Sequence, residues 1–191
     1  MWLTARAALR AAFDEARWTS KALNFTPERA RAGRHDTHTA RIAAVDGESR
    51  AAARDRAIDA LFRYRVFPPH RMRAHIATPD GRVAGGATII QRVRLGPLAM
   101  EMAVRVIDVF DERSVDGSVG FTYGTLEGHS ERGLATFAID PDGSDGLRFR
   151  IETWSSPAGV VGVLGGPIAR KVQQRFTGEA LAHFREHFRE A

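Results

Sequence analysis

Residues 147–152, Leu147-Arg148-Phe149-Arg150-Ile151-Glu152, put every apolar side chain on one face and every charge on the other. A period of two over this length marks a β-strand with one buried and one solvated face. The same rhythm recurs upstream. Residues 98–110 alternate with Met100, Met102, Val104 and Val106 on one side, and 86–95 set Ala87, Ile89, Gln91, Val93 and Leu95 against Arg92 and Arg94. Met72, Ala74 and Ile76 alternate before the turn Pro79-Asp80-Gly81, and 119–126, 134–139 and 147–155 are further strands. Residues 38–45 form another, ended by the turn pair Asp46-Gly47. Strands wet on one face belong to antiparallel sheets. No helical crossover separates the run from Met72 to Ser155, which excludes a doubly wound fold.

Helical spacing frames this region. Ser49 is an N-cap for a helix over 50–62 whose apolar face is Ala53, Ala57, Ile58 and Leu61, stopped by Phe67-Pro68-Pro69. Residues 3–18 repeat with a helical period, giving an expected N-terminal helix, and 26–36 read as an arginine-rich loop. From Gly166-Pro167 onward, Ile168, Val172, Phe176, Leu181, Phe184 and Phe188 fall near one stripe of a long helix. An antiparallel sheet of six or seven strands hides both faces most simply by curling around that helix. The expected class is α+β, with residues 1–36 as an N-terminal extension and 37–191 as the main domain.

Length and composition set bounds. At 191 residues one core is expected. Cysteine is absent, which excludes disulfides, thiolate nucleophiles and cysteine-ligated metal centres. No apolar run reaches 18 residues, so no transmembrane helix is expected. The N-terminus lacks the apolar core of a secretory signal, which makes the cytoplasm the default compartment. The net charge is +5, unevenly spread: residues 1–75 hold 15 basic and 8 acidic side chains, residues 76–191 hold 13 and 15. A basic first third leaves nucleic acid as a partner to consider through residues 1–75, although no aromatic-interleaved basic stripe accompanies it.

Three segments carry a resemblance. Residues 61–69 (LFRYRVFPP), 120–133 (GFTYGTLEGHSERG) and 166–176 (GPIARKVQQRF) resemble the uncharacterised bacterial and plant family called domain of unknown function 1990, over roughly residues 37–190. Members often continue the central motif with acidic residues, where this chain has Leu134 and Ala135. That family is similar to START-like, helix-grip proteins, which implies a sheet gripping a helix and an apolar ligand held between them. It implies no established activity.

The central motif also gathers acid–base chemistry. Tyr123, His129, Glu131 and Arg132 lie within ten residues. One arrangement makes His129 a general base oriented by Glu131, with Tyr123 or Arg132 stabilising negative charge. The other is a hydrogen-bonded corner with Glu131 and Arg132 holding a hairpin. His183 and His187 are four apart on a helix, but the glutamate between them is at position 186 and not at 184 as an HExxH zinc motif needs, so no metal is expected. Gly159, Gly162, Gly165 and Gly166 match neither dinucleotide-binding nor P-loop spacing, so no cofactor is expected. The run Arg63-Tyr64-Arg65 suits either a clamp for a base or carboxylate, or a fixed helix end with arginines paired to acids such as Asp59.

The sequence therefore points to a binding module for a small apolar or amphipathic ligand in a cavity between the sheet and the C-terminal helix. Tyr123, His129, Glu131, Arg132 and Gln91 are its expected polar contacts, with Met102, Phe149 and Phe176 as apolar wall. The alternative is a hydrolase or isomerase using His129 and Glu131. A further one is a polyanion-binding adaptor using the basic first third. No residue pattern fixes the oligomeric state.

Overall fold

The computed structural model describes residues 2–5, 12–26, 28–29, 32–42, 47–95, 98–112, 117–143, 146–158 and 166–187. Its strands are β1 (Trp2–Ala5), β2 (Arg34–Ile42), β3 (Met72–Ile76), β4 (Thr88–Leu95), β5 (Leu98–Asp111), β6 (Val119–Thr125), β7 (Glu131–Asp142) and β8 (Gly146–Pro157). Its helices are α1 (Glu15–Thr19), α2 (Arg50–Phe62) and α3 (Gly166–His187). Seven strands run β2-β8-β7-β6-β5-β4-β3, all antiparallel, and β1 adds to β5 off that path. The α+β class, the curved antiparallel sheet and the long C-terminal helix are as the two-residue rhythm and the helical stripe require. The pair Gly96-Pro97, Asp46 and the glycine-rich run 159–165 lie outside the described residues.

The register of β8 explains the fold-deciding hexapeptide. Leu147, Phe149 and Ile151 are buried and lie beside Pro141, Ile139 and Phe137 of β7, while Arg148 and Arg150 meet Asp142 and Asp140 on the other face. The register between β5 and β6 slips between Val106 and Asp108. Such a bulge adds a residue to one strand and bends the sheet, which helps to curve it around α2 and α3.

Helix α2 starts where Ser49 accepts the Ala52 N–H at 3.2 Å. Its buried face is Ala53, Ala57, Ala60 and Leu61, small enough for the helix to lie close on β6, β7 and β8. Helix α3 rests on β2 and β8, with Phe184 stacked on Phe149 at 4.2 Å between ring centroids. Gly178 sits within one continuous helix.

Two expectations fail in the first third of the chain. Residues 3–18 are not one helix: Trp2–Ala5 is a strand and helix α1 covers only Glu15–Thr19. The strand forms because β5 outruns β6: residues 98–101 precede the Val104↔Thr125 end of the β5–β6 ladder, and their free edge takes β1. Free edge N–H and C=O groups recruit a partner. The loop expected to Asp36 also ends early, at the start of β2.

The outer face of β4 and β5 is likewise not wet. Trp18, Ile90, Ala103 and Leu126 form a second buried cluster with Phe13 and Leu23 packed on it. Arg92, expected to be solvated, is 5% exposed. Its Nε donates to Glu101 at 2.9 Å, the Trp18 indole N–H donates to the same carboxylate at 2.9 Å, and the Phe13 ring lies 4.4 Å from the guanidinium. A buried charge is tolerable only when paired and hydrogen-bonded, and residues 13–23 complete that shell.

Candidate functional site

The concave face is built from alternate residues. Gln91 of β4 pairs in register with Met102 of β5, and Val106 of β5 with Tyr123 of β6, which pairs in turn with Ala135 of β7. On this face Phe121, Tyr123, Phe137 and Phe149 form a ladder of rings, with centroids 5.6 Å apart for Phe121–Phe137 and 5.4 Å for Tyr123–Phe137. The ladder continues through Phe149 to Phe184 of α3. Edge and offset ring contacts of this kind add to the burial of apolar area.

Tyr64 enters this face from the end of α2. Its φ is +53°, a left-handed conformation that suits glycine and strains a bulky residue by roughly 1–2 kcal/mol. The chain turns there because the Tyr64 N–H donates to Leu61 O at 2.9 Å, closing the helix and directing the ring inward. The ring is 5% exposed and contacts Phe67, Phe121, Tyr123 and Phe137. Its hydroxyl accepts from Gln91 Nε2 at 2.6 Å. Tyr123 stands beside this pair, its ring centroid 6.5 Å from that of Tyr64. Burial pushes both phenols up, Tyr64 well above the usual tyrosine range, so both stay protonated at neutral pH. Three polar side chains thus gather inside an aromatic wall, Gln91 bonded to Tyr64 and Tyr123 beside them. The sequence singles out Gln91 and Tyr123 as polar contacts, and Tyr64 only within the Arg-Tyr-Arg run, as a clamp or a helix end.

The corner after β6 is built of hydrogen bonds. Thr125 Oγ1 receives the Gly133 N–H at 2.9 Å and donates to Asn24 Oδ1 at 2.7 Å, while Asn24 Nδ2 donates to Glu131 O at 2.9 Å. A Cβ on Gly133 would stand 1.9 Å from Trp154 O, so close approach of β7 to β8 explains that glycine. His129 Nδ1 accepts the Glu131 backbone N–H at 3.0 Å. Burial holds the His129 imidazole down at about 4 and raises the Glu131 carboxyl to about 6. The Glu131 charge also raises Tyr123, which places this carboxyl at the margin of that polar group.

The expected site residues therefore divide. Gln91, Met102 and Tyr123 share one face, with Glu131 beside them. His129 is not oriented by the Glu131 carboxylate; the contact is the backbone N–H, which consumes Nδ1 and leaves the proton on Nε2. Arg132 is exposed and, one residue along β7, points to the opposite face from Glu131. Phe149 is a fully buried wall between Phe137 and Phe184, and Phe176 is partly buried on α3. Arg63 pairs with Asp59 at 3.0 Å, so that part of the Arg-Tyr-Arg run fixes the helix end. Among the described residues no three His, Asp or Glu side chains gather as a metal site, and no helix is long and apolar enough to cross a membrane. The side chain of His187 lies outside the description.

A curved antiparallel sheet gripping a C-terminal helix defines the START-like, Bet v1-type class of fold. Solved structures agree. The hypothetical protein jhp0584 from Helicobacter pylori is similar over 93% of this chain and 100% of its own, with TM-score 0.64 and 10% identity. Ara h 8.0201 follows the fold over 81% and 97%, with TM-score 0.53 and 10% identity. Norcoclaurine synthase from Thalictrum flavum, solved with dopamine and hydroxybenzaldehyde, does so over 89% and 98%, with TM-score 0.51 and 13% identity.

Within that class the chain belongs to the family described as domain of unknown function (DUF1990), which matches residues 15–183. A UPF0548 protein of Deinococcus radiodurans is 33% identical over 160 residues, 78% of this chain and 74% of the relative. A UPF0548 protein of Dictyostelium discoideum is 33% identical over 81 residues, 38% of each chain.

Proposed function

We propose that the protein binds a small apolar or amphipathic molecule against the concave face, its polar end turned toward Gln91, Tyr64 and Tyr123. The observation that carries this reading is the gathering of those three side chains within an aromatic wall, Gln91 bonded to a buried Tyr64 and Tyr123 half-buried beside them. Burying polar groups in a core costs free energy even when they pair. A leucine at 91 and phenylalanines at 64 and 123 would fill the same space without that cost, so the gathering suits orientation of a ligand. Met102, beside Gln91, supplies an adaptable wall. The neighbours' fold is consistent with this use, and the dopamine and hydroxybenzaldehyde held by norcoclaurine synthase are small amphipathic molecules of the kind envisaged.

The test is titration of the purified protein with an environment-sensitive apolar dye, alongside Gln91→Leu and Tyr123→Phe. Saturable binding weakened by either substitution supports the reading. A linear, non-saturating signal that is identical in all three proteins refutes it.

A second reading has one specific support. A carboxyl raised to about 6 is poised to give or take a proton near neutral pH, so Glu131 suits an acid–base role in hydrolysis or isomerisation. In that reading His129 is a positioning residue, its Nδ1 held by the Glu131 backbone. Glu131→Gln would then abolish turnover of a bound ligand while leaving its affinity intact.

A further inference from the structure

We infer that the ligand of the concave face carries an uncharged hydroxyl as its polar end, held by Gln91 and Tyr64, and that the site rejects carboxylates and ammonium groups alike. This rests on the binding reading above and adds to it the chemical class of the ligand.

The strand register decides which side chains face inward. Every second residue of a strand points to the concave side. From β3 across to β8, those positions hold no arginine, lysine or histidine among the described residues. The arginines of these strands that flank them, Arg73, Arg92, Arg94, Arg105, Arg148 and Arg150, all take the alternate, outer positions. Two carboxyls do fall on the inner register. Asp111 is exposed at the end of β5, opposite Val119, and Glu131 starts β7, where burial already raises it to about 6. The ionisable residues on the inner register of β2, Arg34, Asp36 and His38, lie three strands along from Tyr123. Glu179 of α3 is neutralised by Arg71 at 2.8 Å.

The polar side chains at the centre of this face are neutral amides and phenols, both phenols held protonated by burial. Gln91 Nε2 donates to the Tyr64 hydroxyl at 2.6 Å. An amide and a phenol joined by one hydrogen bond keep both a donor and an acceptor, whichever way round the amide is turned. A hydroxyl answers both through a single oxygen, whereas an ether or ketone can only accept. A carboxylate brought here would shed its hydration with no cation facing it. An ammonium would meet only the Glu131 carboxyl at the margin, whose anionic form burial disfavours.

The experiment is calorimetric titration of the full chain at pH 8 with probes of matched length: 1-decanol, 1-methoxynonane, decanoate and decylammonium. Saturable binding of the alcohol is expected, with the ether roughly tenfold weaker and both ions roughly a hundredfold weaker. Gln91→Leu should bring the alcohol down to the level of the ether, and Tyr64→Phe is read the same way should the first variant not fold. Decanoate binding as tightly as decanol, or decylammonium binding more tightly, overturns the inference while the apolar site stands. An alcohol no better than the ether, or an alcohol preference that survives the substitutions, also overturns it. Failure of all four probes to bind removes the site itself and the inference with it.

Discussion

His129 Nδ1 accepts the backbone N–H of Glu131 at 3.0 Å, and burial shifts the two side chains in opposite senses, His129 down to about 4 and Glu131 up to about 6. Their contributions to stability oppose each other in acid. His129 is protonated in the unfolded chain below the ordinary imidazole value of 6.5 but stays neutral when folded until about 4, so it costs stability as pH falls between those values. Glu131 is protonated in the folded chain below about 6 and in the unfolded chain only below 4.5, so it adds stability as pH falls across that window. The upper bounds are about 3 kcal/mol for the histidine and about 2 kcal/mol for the carboxyl.

Between pH 6 and 4.5 these terms nearly offset. Glu131→Gln is expected to make stability fall more steeply over that range than in the parent. His129→Asn, whose Oδ1 can still accept the Glu131 N–H, should make it fall less or rise. Urea denaturation at half-unit steps of pH reads both slopes. Parallel profiles for all three proteins would contradict the burial of these groups.

Glu101 is the anion that lets residues 13–23 cover the outer face. Glu101→Gln leaves Arg92 in a buried shell without its counter-charge and weakens the Trp18 contact. A loss on the order of 3 kcal/mol is expected by chemical denaturation. Arg92→Met with Glu101→Leu should recover much of it, because a packed apolar pair needs no counter-charge. Failure of the single substitution to destabilise would mean that the N-terminal segment does not seal this face.

Gly133→Ala should destabilise by roughly 3 kcal/mol, since the added methyl would overlap Trp154 O and force β7 from β8. Gly178→Ala, on the same scale of change in an open position within α3, should be neutral or stabilising. Thermal melts of the two variants check the contrast.

Alternation alone located every strand from β3 to β8, because each has one face against the concave core. It misjudged the outer face of β4. Ile90 and Arg92 occupy positions that pattern assigns to solvent, and what covers them is Phe13 and Trp18, more than 70 residues earlier. A local period cannot reveal a cover supplied from so far along the chain. The same limit hid β1, whose four residues take strand form only because β5 offers an edge. Within the site, Gln91 stood out as a polar residue on an apolar face, and Tyr123 by its motif. Tyr64 did not, since its role depends on a positive φ and on a partner 27 residues away. His129 and Glu131 are two residues apart, but spacing cannot tell a carboxylate–imidazole contact from the backbone N–H that actually reaches Nδ1.

The claim that the concave face holds a ligand is met most directly by native mass spectrometry of the protein as purified. A discrete adduct of small-molecule mass, released on denaturation and much reduced in Gln91→Leu, is the predicted result. Only the bare polypeptide mass, before and after incubation with a panel of amphipathic phenols and fatty acids, would contradict it.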